Sequence, residues 1–154
     1  MKVHPNDNSV TAIYGFLIYS TLIIGFFWDE NLTTGAYWDY LETKSIANEF
    51  VINFQSTFFQ YDTFHTRHSP VFVIFISKLD KFIMNDFVVR FLHLHLALSL
   101  PLFFFLCLKE KFKKIDNSII VLFSLIILVS PTFRSLSIWP DSRNLGLSIF
   151  ILSI

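Results

Sequence analysis

Residues 10–28 run for nineteen positions without a charged side chain. A helix over that stretch is roughly 28 Å long at 1.5 Å per residue, close to the thickness of bilayer hydrocarbon. Residues 87–108 form a second apolar run, which holds Arg90, residues 118–133 form a third, and residues 145–154 begin a fourth. Segments of this kind must be buried in lipid or against one another. Composition decides between the two. Apolar residues make up 53% of the 154, charged ones only 16%, and twenty residues are Phe. A soluble domain of that length needs more polar side chains to cover its surface. The expected fold is therefore an all-α, polytopic membrane helix bundle in one domain.

The first run is read as a retained helix. A signal peptide needs a shorter apolar core and a small-x-small cleavage site, and neither is present. Trp28 closes the run, where an indole favours the membrane interface. The last run ends at Ile154 after ten residues, with no polar or basic flank. A span needs roughly twenty, so the expectation is a partial polypeptide whose remaining helices lie beyond it. The net charge is zero, so no basic footprint points to nucleic acid. The single cysteine, Cys107, excludes a disulfide framework within the chain and reads as a small hydrophobe.

Residues 29–86 differ in character. They hold eight acidic and four basic residues among many aromatic ones. Residues 37–59 carry apolar side chains at loosely helical spacing. Residues 70–84 are apolar but interrupted by Lys78, Asp80 and Lys81, which suits a helix lying along the interface. The basic cluster at 109–114 belongs on the cytoplasmic side by the positive-inside rule. Counting back places 29–86 outside and Lys2 inside; counting forward places 134–144 outside. The count closes only if 70–84 does not cross.

Three polar groups then face the same outer side: Asp29-Glu30 with Gly35-Ala36-Tyr37-Trp38-Asp39-Tyr40, the stretch from Tyr61 to Pro70, and Trp139 to Asn144. A carboxylate against a poorly hydrated aromatic surface can act as a general base, and Asp39 between Trp38 and Tyr40 fits that role. Asp62 and Asp141 are the lesser carboxylate candidates and join the expected substrate-binding set. Arg67, His65, His68 and Arg143 carry donors suited to a phosphate. Arg90 near the outer end of its helix is read as snorkelling. His93 and His95, two apart, face different sides of a helix and are poorly placed for joint metal ligation. No Gly-rich phosphate loop, cysteine pair or Gly-x-Ser-x-Gly elbow is present.

The order of these parts resembles the N-terminal region of polytopic glycosyltransferases of the GT-C superfamily, among them protein O-mannosyltransferases and aminoarabinose transferases. Trp38-Asp39-Tyr40 stands where that family has the Asp of its first outer loop. Arg67-His68-Ser69-Pro70-Val71 stands for its proline motif, and Phe87-Val88-Val89-Arg90 resembles its Arg-containing helix start. Ser130-Pro131 followed by Pro140-Asp141 resembles the end of its third helix and the start of its fourth. The usual Asp-Glu pair sits instead at Asp29-Glu30, so either Asp39 or that pair can be the catalytic carboxylate, with Asp39 preferred. The resemblance implies a multi-pass protein of a bacterial inner membrane. Its donor would be a polyprenyl-phosphate-linked sugar and its acceptor a hydroxyl on the non-cytoplasmic side. It implies no metal or other cofactor, and no partner beyond the lipid donor and the membrane. A transporter fragment and a small assembly protein without enzymatic activity stay open as other readings.

The topology is directly testable. Cysteine-accessibility labelling should mark position 53 from outside and position 111 from the cytoplasmic side only. Labelling of position 111 from outside overturns the assignment.

Overall fold

The computed structural model describes residues 7–66 and 68–154 of the chain. Among them every regular element is helical, as expected from the sequence. In order they are α1 (Asp7–Phe27), α2 (Gly35–Ile52), α3 (Phe54–Phe59), a 3-10 turn (Tyr61–Phe64), α4 (Pro70–Ile83), α5 (Asp86–Ala97) and α6 (Ser99–Lys111). Then come α7 (Asn117–Leu125), a second 3-10 turn (Ile126–Val129), α8 (Pro131–Ile138) and α9 (Ser142–Leu152).

Local chemistry sets the boundaries. Asn53, Asn85, Asp116 and Asp141 each begin a helix by accepting a first-turn amide, at 3.1, 3.2, 2.7 and 2.8 Å. Pro70 and Pro131 open α4 and α8, where a missing N–H leaves no hydrogen bond unmade. Pro131 also breaks the apolar run at 118–133. It drives Ser130 into extended backbone, and the chain bends by 66° between the α7 segment and α8. Phe133 thus belongs to α8. Residues 87–108 divide into α5 and α6 at Leu98. Pro101 cannot donate to the carbonyl four residues back, which weakens the helix at that junction.

Asp86–Lys111 is the one described helix long and apolar enough to cross a membrane. The bent pair Asn117–Val129 with Pro131–Ile138 makes a second if it is taken as one broken span. Thr11–Phe27 and Ser142–Leu152 are shorter apolar helices. Among the described residues, one helix or two pass as full-length spans, against the three crossings read from the sequence.

The interior has two apolar clusters. One gathers Leu22 and Phe26 of α1, Leu94 and Ala97 of α5, and Phe133, Leu136 and Trp139 around α8. The other sets Ile46, Ala47 and Phe50 of α2 against Phe72, Val73 and Ile76 of α4. The outer faces are also apolar: Phe16 and Leu17 on α1, Leu102 and Leu106 on α6, Phe123 on α7, and Ile149 and Phe150 on α9 are all exposed. At fourteen residues α4 is about 21 Å long, too short for a 30 Å hydrocarbon layer. It is pinned to α2 by Lys44, which meets Asp80 at 3.1 Å and also pairs with Asp86. Lys78 lies 5.1 Å over the Phe54 ring.

Two arginines tie the turn after α1 into this bundle. The Arg90 guanidinium lies 3.8 Å from the centre of the Trp139 ring and pairs with Asp29 at 2.7 Å. It is buried, so the snorkelling expected of it is replaced by an ion pair and a stacking contact inside the protein. Arg134 donates from Nε to Glu30 at 2.9 Å, pairs with it again through Nη2, and reaches the Thr21 carbonyl at 2.9 Å. The Trp139 indole N–H donates to the Glu30 carbonyl at 2.9 Å. Asp29 and Asn31 take positive φ in this turn, a conformation that short polar side chains tolerate best.

Gly25 is part of this arrangement. A Cβ there would run into the Glu30 carboxylate and stand 2.8 Å from Arg134 Nη2, whereas one on Gly146 meets nothing within 4 Å. Gly25→Ala should lower stability by about 1 kcal/mol, as the Glu30 and Arg134 side-chain ends give way and their partly exposed pair weakens. Gly146→Ala should be tolerated. Thermal unfolding followed by tryptophan fluorescence distinguishes them; equal melting temperatures overturn the packing argument.

Candidate functional site

Helix periodicity puts Asp39 on the second turn of α2, facing the start of α9. There Asp141 and Arg143 meet it. Asp141 accepts the backbone N–H of Arg143 at 2.8 Å, which starts α9, and its two oxygens take Arg143 Nε at 2.8 Å and Nη2 at 2.7 Å. The same Nη2 reaches Asp39 Oδ2 at 2.8 Å. One guanidinium thus bridges two carboxylates. The bidentate grip fixes its plane, and its outer face stays half exposed.

Asp141 is 1% exposed. Its burial acts to raise the carboxyl pKa, but the Arg143 side chain and backbone N–H outweigh this and hold it below the usual carboxylate range. His93 on α5 supports the same loop. Its ring nitrogens lie 3.2 Å from the carbonyls of Ser137 and Asp141. His95 turns the other way, to Tyr19 at 2.9 Å, so the two histidines do face different sides.

Beside this bridge lies an open cleft of about 400 Å³, lined by Asn31, Thr34, Gly35, Asp39, Thr132, Ser135 and Arg143 among others. The N-terminus of α2 opens into it. Thr34 occupies the cap position but makes no capping bond; its hydroxyl donates to the Asn31 carbonyl at 2.8 Å and lies 3.3 Å from Ser135 Oγ. First-turn amides, a guanidinium and hydroxyls therefore border one cavity, a combination that suits an anion with several oxygens.

The residues expected from the sequence separate into two groups. Asp39, His68, Asp141 and Arg143 come together, although Asp39 and Arg143 are 104 positions apart. His68 is buried beside them. Asp62 and His65 sit exposed at the Tyr61–Phe64 turn and, among the described residues, bond to none of these four. Arg67 lies outside the described residues. Asp29 and Glu30, the other carboxylate candidates, are held by Arg90 and Arg134.

One member escaped the sequence reading. Glu42 is exposed on α2, and a carboxylate oxygen of it, one of Asp39 and a ring nitrogen of His68 all lie within 4.8 Å of one another. The spacing of three between Asp39 and Glu42 was the available signal, since residues three apart share a helix face.

The Asp141 geometry has a measurable consequence. A carboxyl whose folded pKa is depressed contributes stability that is present above its unfolded value and lost as pH falls through the folded one. Melting temperature should therefore drop as pH is lowered from about 4. Asp141→Asn should flatten that acid limb while lowering stability at neutral pH. An unchanged acid limb counts against the assignment.

No family model, curated protein or solved structure matches this chain, so the chemistry of these side chains is the basis for assigning it a role.

Proposed function

We propose that the chain is part of a multi-pass membrane glycosyltransferase that moves a sugar from a polyprenyl-phosphate carrier to an acceptor hydroxyl on the non-cytoplasmic side. The observation that carries this reading is the Arg143 bridge between Asp39 and Asp141 on the rim of the cleft. A base candidate and a phosphate-binding group there share one contact. The membrane setting is supported by the exposed apolar faces of α1, α6, α7 and α9, which water would not tolerate over so large an area. The short amphipathic α4 then lies along the outer interface, with Lys78 and Lys81 at its polar edge.

In this reading the carrier phosphate enters the cleft over the uncapped start of α2 and takes donors from Arg143. That draws the guanidinium from Asp39 and raises the basicity of its carboxylate. The acceptor hydroxyl gives its proton to Asp39 as its oxygen bonds to the anomeric carbon. The bond from that carbon to the phosphate oxygen breaks, and the polyprenyl phosphate leaves with the electron pair. Asp141 stays paired with Arg143 and keeps it in place.

The test is transfer from a polyprenyl-linked sugar by detergent-purified protein. Asp39→Asn keeps the size of the side chain and removes the base, so the rate should fall by roughly 10²-fold or more. Asp29→Asn should act on folding through Arg90 and leave the rate per folded molecule unchanged. Full activity in Asp39→Asn with loss in Asp29→Asn means that the wrong carboxylate has been named. Turnover of no donor lipid sinks the transferase reading and favours a transport or assembly role.

A further inference from the structure

We infer that Asp39, Glu42 and His68 form a binding site for one divalent first-row transition-metal ion. Three observations carry it. The first is the donor set: two carboxylate oxygens and an imidazole nitrogen within 4.8 Å of one another. Two ligands on opposite sides of an ion at about 2.2 Å stand about 4.4 Å apart, so side-chain movements of a few tenths of an ångström close the shell.

The second is His68. The residue is 8% exposed, and its Nε2 is buried with no hydrogen-bond partner among the described residues. A buried imidazole nitrogen without a partner forfeits a bond that it had in water, and coordination to a cation restores one. The backbone around it is held: the Tyr61 hydroxyl donates to the His68 carbonyl at 3.0 Å, and the His68 N–H donates to Thr66 Oγ1 at 3.2 Å. The ring is therefore delivered to the carboxylates by a braced loop.

The third is the charge around it. Asp39, Glu42 and Asp141 bring three carboxylates to this end of the protein, a field that draws a cation. Asp39 and Glu42 come from one face of α2 and His68 from a different segment, so the ion would also join α2 to the loop before α4.

Two carboxylates with one imidazole suit manganese or a similar borderline ion better than a thiolate-seeking one. An ion there lies next to the Arg143 contact, where it can neutralise a phosphate oxygen. Binding lowers the basicity of Asp39, so its roles as ligand and as base compete, and the cation's contribution is to the departing phosphate. The binding itself does not depend on sugar transfer.

Manganese(II) titrated into the purified full chain, followed by electron paramagnetic resonance, tests the site. The free-ion signal should fall with saturation at one ion per chain, and pulsed measurements should show coupling to an imidazole nitrogen. Glu42→Gln, an exposed change that leaves the core intact, should weaken binding about tenfold or more. His68→Gln should abolish the nitrogen coupling. Glu49→Gln, exposed on the same helix, should leave binding unchanged. The site is refuted by absence of saturable binding, by equal affinity in Glu42→Gln, or by nitrogen coupling that survives in His68→Gln. Transfer activity is not read, so a protein that binds manganese but turns over no lipid-linked sugar upholds the site and refutes only the transferase.

Discussion

The stacking of Arg90 on Trp139, with Asp29 on the same guanidinium, is the contact around which the other helices are arranged. It joins α5 to the end of α8 and to the turn after α1. Arg134 repeats the device from α8 to Glu30, and the Trp139 indole N–H closes the set on the Glu30 carbonyl. Charges this poorly solvated are costly unless paired, and removal of one partner leaves the other exposed to that cost. The turn from Asp29 to Thr34 therefore has a defined shape, and α2 leaves it in a defined direction. Asp39 reaches the start of α9 for that reason.

The two carboxylate pairs near the candidate site differ in what they can do. Asp29 and Glu30 are engaged by arginines that also stack or bond to the backbone, which makes them parts of the frame. Asp39 and Asp141 share an arginine whose outer face is open to the cleft. A shared donor on a cavity can be taken by an entering anion, whereas one buried on an indole cannot. This difference of access separates a structural ion pair from one suited to chemistry.

The outer surface follows another rule. Phe16, Leu102, Phe123 and Phe150 are exposed on different helices, while Asp39, Asp141 and Asn144 are buried near the α2 and α9 starts. Apolar exposure on that scale needs a cover, and the proposed cover is lipid. On the proposed function, the cleft lies at the boundary where a lipid carrier would present its phosphate, bordered by the start of α2 and the Arg143 guanidinium.

Helix content and the helix start at Pro70 were legible in the sequence, because each depends on neighbours within one turn of the chain. The apolar runs were legible for the same reason, although where Pro131 and Leu98 divide them depended on how the helices pack. Asp39 stood out by its aromatic neighbours, and Arg143 and Asp141 by their nearness to each other. Their meeting did not, nor did the burial of His68, the exposure of Asp62 and His65, or the entry of Glu42. Arg90 read as a snorkelling side chain until Trp139, from a distant segment, was placed against it. The sequence by itself determined which stretches are helices and which residues carry donors and acceptors, since those are properties of residue type and short-range spacing. Only the tertiary structure decided which charges meet, because an ion pair such as Arg143–Asp39 depends on the directions in which α2 and α9 leave their turns, and those directions are set by contacts from the rest of the chain.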